Sequence, residues 1–470
     1  VIDRAHADLF GALVVQDLNG RMKPMNTLTR EVLRKLLRND TYQNMNSDQV
    51  FLSMSAYPGI WNRIPLIAQG KHEKTRQILS ATNDRLSYID FFDEDGQYLL
   101  RDALMEANNK KPVDRGVFEK EIIKMDEKLN ILNMVFSGTL LKLFPVDGHP
   151  NHHWEAPSGV HHQRVDSGAI SFPDRFFATY TEQIQAAVQN GQWNELNALI
   201  QELTGYQIRL GGTIVPSSNQ LKAEHLLNDL NVFSRLGKFY GLMGLIFLSM
   251  LFLTIFKPQW SSMRYTTWML WLMVLGFAFQ TFGLALRWYV SGRAPWSNGY
   301  ESMIYIAWTT VLAGLLFSRK SLGGLTATTM LSAIVLMVAG MSWLDPEITP
   351  LVPVLKSYWL TIHVSLEAGS YGFLVLGALI GALNLLLMIF ATETNKARMN
   401  RIIDEMSCTS EMTILGGLIM LSTGTYLGGV WANESWGRYW GWDAKETWAL
   451  VSILVYSFIL HMRLIPGLKG

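Results

Sequence analysis

Five tryptophans fall within eighteen residues near the end of the chain: Trp431, Trp436, Trp440, Trp442 and Trp448, with Tyr439 among them. Indoles gather where a membrane meets water, and for one or two of them an aromatic belt is explanation enough. This run is denser, and Gly437 and Gly441 are interleaved where the backbone can approach something flat. Such a set suits a platform for a large, planar, apolar ligand. Two histidines lie in the same half of the chain, His363 in SYWLTIHVSLEAGSYG and His461 in YSFILHMRL. A histidine inside a membrane helix is costly enough to suggest function, although a hydrogen bond between helices accounts for it as well. Neutral imidazole is a usual axial ligand of metal centres such as heme iron, and two histidines at opposite depths suggest two ligand positions.

Asp443 and Glu446 have a structural explanation that comes first. Asp443 at the N-cap with Glu446 three residues on makes a capping box for the last helix, and Asn298 with Glu301 makes a similar one after Pro295. Neither carboxylate of the tryptophan run need be catalytic. Their expected role is to cap a helix and so place the indoles.

The elements that must carry these residues follow from hydropathy. The 470 residues are 49% hydrophobic with a mean hydropathy of +0.14, a value that only its distribution along the chain can interpret. Up to about Gly237 charge and apolar residues mix as in a soluble domain; beyond it, apolar runs alternate with short polar loops. About 20 apolar residues span the roughly 30 Å hydrocarbon core as a helix. About seven such runs occur, near 239–256, 266–286, 300–317, 325–343, 364–390, 412–430 and 446–462. With no water to satisfy the backbone in lipid, they must be helices. The expected architecture is an all-α polytopic membrane protein of about seven transmembrane helices, residues 238–470, preceded by a mainly helical soluble external domain, residues 1–237.

Cytoplasmic loops carry the excess of Lys and Arg. Alternate loops hold Lys257, Arg264, Arg319, Lys320, Lys396, Arg398, Arg401, Arg463 and Lys469 on one side, against Arg287, Arg293, Lys356, Arg438 and Lys445 on the other. Nine against five puts the soluble domain and the tryptophan loop, residues 431–448, outside together, with His363 level with that loop and His461 near the cytoplasmic face.

In the soluble half, Asn26 and Thr27 offer N-caps before Leu28, Val32, Leu33, Leu36 and Leu37 at helical spacing; a second periodic stretch runs from Arg175 to Leu203, and residues 11–16 suit a short strand. His149, His152, His153, His161 and His162 sit in a Pro- and Gly-rich stretch with no fixed metal-ligand spacing. The net charge of +1 and the absence of a basic run argue against nucleic acid as a partner. Cys408 is the only cysteine, so no intrachain disulfide forms. The sequence opens at Val1 with neither initiator methionine nor signal peptide, which suggests a piece of a longer protein whose upstream part directs export.

The string from Trp431 to Glu434, followed by Trp436 to Trp448, resembles the WWD motif of heme-handling proteins, and is similar above all to the CcsA, or fused CcsBA, type of system II cytochrome c synthase. Further likeness comes from APWSNGYES (Ala294 to Ser302), WLTIHV around His363 and LHMR around His461; FGALVVQDLNGRMKPMNTLTREVLRKL (Phe10 to Leu37) resembles the external domain preceding the CcsA half in fused members. The resemblance implies an integral protein of the bacterial inner membrane with residues 1–237 and the WWD loop on the periplasmic side. It implies heme b as cofactor and cargo, bound by Trp431, Trp436, Trp440, Trp442, Asp443 and Trp448, with His363 as external and His461 as intramembrane iron ligand. It implies covalent attachment of heme to the CXXCH thiols of apocytochrome c, with a CcsB-like half, fused upstream or separate, as partner alongside membrane lipid. A heme exporter or delivery protein of the CcmC type, which shares the motif without forming thioethers, is the alternative. Arg287, Arg293, Arg438 and Lys445 could meet the heme propionates, though snorkelling explains them equally. The sequence departs from the family where Ala444 replaces the usual proline after Asp443, and in ending before a further helix with a second external histidine. On that reading the His461 partner, carried by the CcsB half, lies outside the sequence too.

Overall fold

A computed structural model of the chain describes residues 1–80, 83–146, 152–157, 172–257, 263–341, 343–351, 355–392 and 395–465. It is all-α in character and divides into two compact units, Val1–His225 and Leu226–Gly470.

The first unit builds its core from helices Arg4–Gly11, Met25–Leu37, Ser47–Ala56, Val117–Phe136, Phe172–Asn190 and Asn194–Leu210, around fully buried Phe10, Leu33, Phe51, Leu132 and Leu203. The strand anticipated within 11–16 is Val14–Gln16, antiparallel to Met22–Pro24. The long periodic stretch from Arg175 is two helices, broken where Gly191 takes φ +73°. Asn26 and Thr27 are not caps. The helix starts at Met25 after Pro24, and their side chains are buried in tertiary bonds, Asn26 Nδ2 to Asp48 Oδ2 at 2.7 Å and Thr27 Oγ1 to Glu224 Oε1 at 2.9 Å.

The second unit holds seven α-helices among the described residues: α1 (Val232–Phe256), α2 (Met263–Ser291), α3 (Gly299–Ala313, prolonged by a π-helical turn Gly314–Ser318), α4 (Leu322–Ala339), α5 (Tyr358–Ile389), α6 (Lys396–Trp436) and α7 (Ala444–Met462). Six are long and apolar enough to cross a membrane, and the chain is an integral membrane protein. The seventh expected span, α7, forms as a helix but carries Lys445, Glu446 and His461 within its 19 residues, and it falls outside that set. α6 differs most from expectation. Its 41 residues rise about 60 Å, roughly twice the hydrocarbon core, because charged turns from Lys396 to Glu411 extend the apolar part without interrupting the helix.

α5 and α6 pack along a seam of small residues, where glycines let helices approach and dispersion replaces the hydrophobic drive that lipid cannot supply. A Cβ on Gly377 would lie 2.6 Å from Ile414, and one on Gly417 would lie 2.8 Å from Leu374. α7 rests on this pair through Ile453, Tyr456 and Leu460, against Leu374, Ile414 and Leu421.

Candidate functional site

The tryptophan run is not one loop. Trp431 and Trp436 ride on the last turns of α6, which ends as Gly437 takes φ +70° at the left-handed cap position. The connection to α7 is residues 437–443, and Trp448 lies on the second turn of α7. Helix persists to Trp436 because Ala432, Asn433, Glu434 and Ser435 contain no breaker before Gly437. Trp431 and Trp436 meet edge to face with centroids 4.7 Å apart, as do Trp440 and Trp442 at 5.9 Å. Trp436, Trp442 and Trp448 leave 53%, 72% and 67% of their surface exposed, so the indoles present wide faces. Two indole nitrogens, Trp431 Nε1 and Trp440 Nε1, are buried without an acceptor.

The expected capping box at α7 is present. Glu446 N donates to Asp443 Oδ1 at 2.8 Å, and Glu446 Oε2 accepts from Asp443 N at 3.4 Å and more closely from Gly441 N at 2.7 Å. The last bond goes beyond a cap. It pins the backbone between Trp440 and Trp442, so the two carboxylates set the geometry of the connection. Trp442 itself sits at φ +56°, a conformation that costs a side-chain-bearing residue about 1–2 kcal/mol and is maintained by its surroundings.

His363 lies on the second turn of α5, facing α6. Its Nδ1 is 2.8 Å from the Gly424 carbonyl oxygen. A carbonyl only accepts, so Nδ1 donates and Nε2 is the nitrogen left to meet a ligand. The ring lies against Gly428, and Trp431 follows three residues on, about 4.5 Å further along the axis. The structure thus brings His363, Trp431 and Trp436 to one end of α5 and α6, with Trp440, Trp442, Asp443 and Trp448 on the adjoining connection and α7. His461 is at the other end of α7, exposed, with Nδ1 2.7 Å from the Ser457 carbonyl oxygen, which again leaves Nε2 as the free nitrogen. Beside it Arg463 pairs with Glu411 of α6.

Of Arg287, Arg293, Arg438 and Lys445, the first two are committed elsewhere. Arg287 Nε donates to Glu301 Oε1 at 3.0 Å and its Nη2 to the Pro346 carbonyl at 3.0 Å; Arg293 donates to Glu301 Oε2 at 2.8 Å and to the Thr349 carbonyl at 3.1 Å. Glu301 is fully buried, and its carboxylate is spent on these arginines and on Ser297 N at 2.9 Å, so only half of the anticipated box with Asn298 forms. Arg438 and Lys445 are exposed beside the tryptophans.

Sequence reasoning passed over Trp296, whose Nε1 donates to the Thr361 carbonyl at 3.1 Å and whose ring packs on Tyr305 at 4.7 Å, joining α3 to the turn that carries His363. It also passed over Gly424, Gly428, and Glu367, which accepts from Thr425 Oγ1 at 2.8 Å. APWSNGYES was the available signal for Trp296; the others lie in apolar runs with nothing to mark them. Of the histidines in the first unit, His152 and His153 are exposed, while His149, His161 and His162 lie outside the described residues. No metal-ligating cluster occurs among the described residues.

Residues 296–470 match the family described as cytochrome C assembly protein. The chain is 40% identical over 468 residues to Protein NrfI of Wolinella succinogenes, covering 97% of this chain and 50% of that protein. It is 38% identical over 194 residues to cytochrome c biogenesis protein CcsA of Chlamydomonas reinhardtii, covering 40% of this chain and 55% of that protein. It is 32% identical over 233 residues to the CcsA of Pyropia yezoensis, covering 73% of that protein. The chain spans about half the length of the first two.

Proposed function

Because the chain belongs to the CcsA-like family of cytochrome c assembly proteins, we propose that it presents heme b at the outer face of the bacterial inner membrane and joins it to the CXXCH thiols of apocytochrome c. The observation that carries the reading is the meeting of His363, its Nε2 free, with the tryptophan-bearing end of α6. The loop charges support the periplasmic side for this end and for residues 1–237.

In this reaction each cysteine S–H adds across a heme vinyl group: an S–C bond forms, the thiol hydrogen goes to the neighbouring carbon, and no electrons are gained or lost. What the protein contributes is placement. His363 holds the iron through Nε2. Trp431, Trp436, Trp440, Trp442 and Trp448 lie against the macrocycle and exclude water from it, and Glu446 and Asp443 hold the connection in the shape that places them. Trp431 Nε1 and Trp440 Nε1 are donors awaiting an acceptor, and a porphyrin carboxylate supplies one. With Arg287 and Arg293 bound to Glu301, the propionates fall to Arg438 and Lys445. His461 serves a second position deeper in the membrane, completed by a CcsB-like partner.

His363→Ala is the test. The variant in the complete protein should lose heme at the outer position and form no covalent cytochrome c, with partial recovery on adding imidazole. An unchanged heme spectrum with normal attachment would remove His363 from the site. Heme passed to an acceptor protein without thioether formation would favour delivery of the CcmC type over synthesis.

A further inference from the structure

His363 is seated in the glycine-lined seam between α5 and α6. A Cβ on Gly424 would lie 3.1 Å from Leu366 Cβ and 3.2 Å from the Glu367 backbone nitrogen, so α5 comes so close to α6 that a side chain there would push it back by a few tenths of an ångström. One turn on, a Cβ on Gly428 would lie 2.6 Å from Cε1, 2.7 Å from Nδ1 and 3.1 Å from Nε2 of the His363 ring. The imidazole therefore occupies the space that a side chain at 428 would take. Between the two glycines, the Thr425 hydroxyl donates to Glu367 Oε1 at 2.8 Å and makes a second bond across the seam.

These contacts act on the ring in two ways. The Gly424 carbonyl, 2.8 Å from Nδ1, selects the tautomer, and the bare backbone at Gly428 fixes where the ring plane can lie. A ligand histidine is commonly oriented through its second nitrogen by a carboxylate or a backbone carbonyl. Here the acceptor belongs to a neighbouring helix, brought close where position 424 has no side chain.

We propose that Gly424 and Gly428 are positioning residues for His363, holding it in the Nδ1–H tautomer with Nε2 as the one nitrogen able to bind iron. The proposal rests on the reading of His363 as the outer ligand. It makes α6 an active part of the site beyond its tryptophans: the same helix orients the ligand at 424–428 and presents indoles at 431 and 436. A carbonyl acceptor also draws less on the Nδ1 proton than a carboxylate would, which makes the ring a weaker donor to iron.

Gly369 supplies a packing control on the same seam, since a Cβ there meets the flexible end of Met420 at 2.6 Å and not the histidine. The full chain, labelled with ¹⁵N-histidine and free of heme in lipid vesicles, is read by solid-state NMR, with the His363 signals assigned by their loss in His363→Gln. The wild type should show Nδ1 protonated and Nε2 bare. Gly428→Ala should shift or split these signals, and Gly369→Ala should leave them in place. On loading, Gly428→Ala should lower heme affinity by about 10–100-fold, the usual effect of losing an orienting partner. In a His363→Gly background without added imidazole, adding Gly428→Ala should have no further effect.

A wild-type His363 with the proton on Nε2 overturns the proposal, and this result needs neither glycine variant to fold. So do His363 signals unmoved by Gly428→Ala, or moved equally by Gly369→Ala. If the NMR results are as expected but His363→Ala binds heme normally, it is the assignment of His363 as the heme ligand that fails.

Discussion

Deleting the charge of Glu301 separates two roles for Arg287 and Arg293. Both guanidiniums bond the Glu301 carboxylate, at 3.0 and 2.8 Å, and also donate to the Pro346 and Thr349 carbonyls, which ties α2 and α3 to the segment after α4. Glu301 is 0% and Arg287 4% exposed. Glu301→Gln keeps the shape and an acceptor oxygen but leaves two largely buried cations without a counter-charge. Breaking a buried ion pair from one side costs about 3–5 kcal/mol. At about 2–4 °C per kcal/mol for a unit of this size, thermal unfolding should fall by roughly 6–20 °C. The assay is helical circular dichroism of the full chain in lipid nanodiscs. Adding Arg287→Gln and Arg293→Gln should recover more than half of the loss, since the uncompensated charges go with them. A change under about 1 kcal/mol, or roughly 2 °C, would refute the structural role. So would a Glu301→Gln protein that holds heme more tightly, because arginines freed from Glu301 would then be meeting propionates.

Two further outcomes follow from strain and from buried charge. Trp442→Gly should stabilise the protein by about 1 kcal/mol, because a mostly exposed side chain at φ +56° is replaced by the residue that adopts it freely, while heme retention falls; loss of stability would mean the indole is packed and not presented. In the first unit, His6 is buried between Asn197 Oδ1 at 2.7 Å and the Tyr180 hydroxyl at 3.0 Å, and burial pushes its pKa below the usual 6.5, outweighing the opposing effects of Asn197 and Asp3. The unfolded chain then binds the proton more readily, so this contribution is complete above about pH 6.5 and is lost as pH falls through the lower folded value. Hydrogen exchange of residues 1–12 and 172–210 should quicken over that acid window and His6→Gln should flatten the response; identical profiles would exclude His6 as the cause.

The membrane helices were legible because apolar runs of that length have one solution in lipid, and the α7 cap was legible because Asp443 and Glu446 stand at the spacing a capping box requires. What the sequence conceals is what a residue is spent on. Asn26 and Thr27 have the chemistry of caps, yet Asp48 and Glu224, far along the chain, claim their side chains. Glu301 reads as a capping partner and is consumed by two arginines. The tryptophan spacing suggested a platform but not that α6 carries Trp431 and Trp436, since small, polar and aromatic residues stand on both sides of the true helix end at Trp436. Gly424 and Gly428 were invisible because a glycine in an apolar run signals close approach without naming what approaches.

α6 supports both histidines. Gly424 accepts from His363 near one end of the helix, and Glu411 pairs with Arg463, two residues from His461, thirteen residues earlier. Thirteen residues of unbroken helix separate these supports by about 20 Å along the axis. A continuous helix cannot shorten that distance by a small local shift, so the two imidazoles cannot share one iron while both supports hold. If each histidine serves a heme, the cargo must move and α6 must stay still.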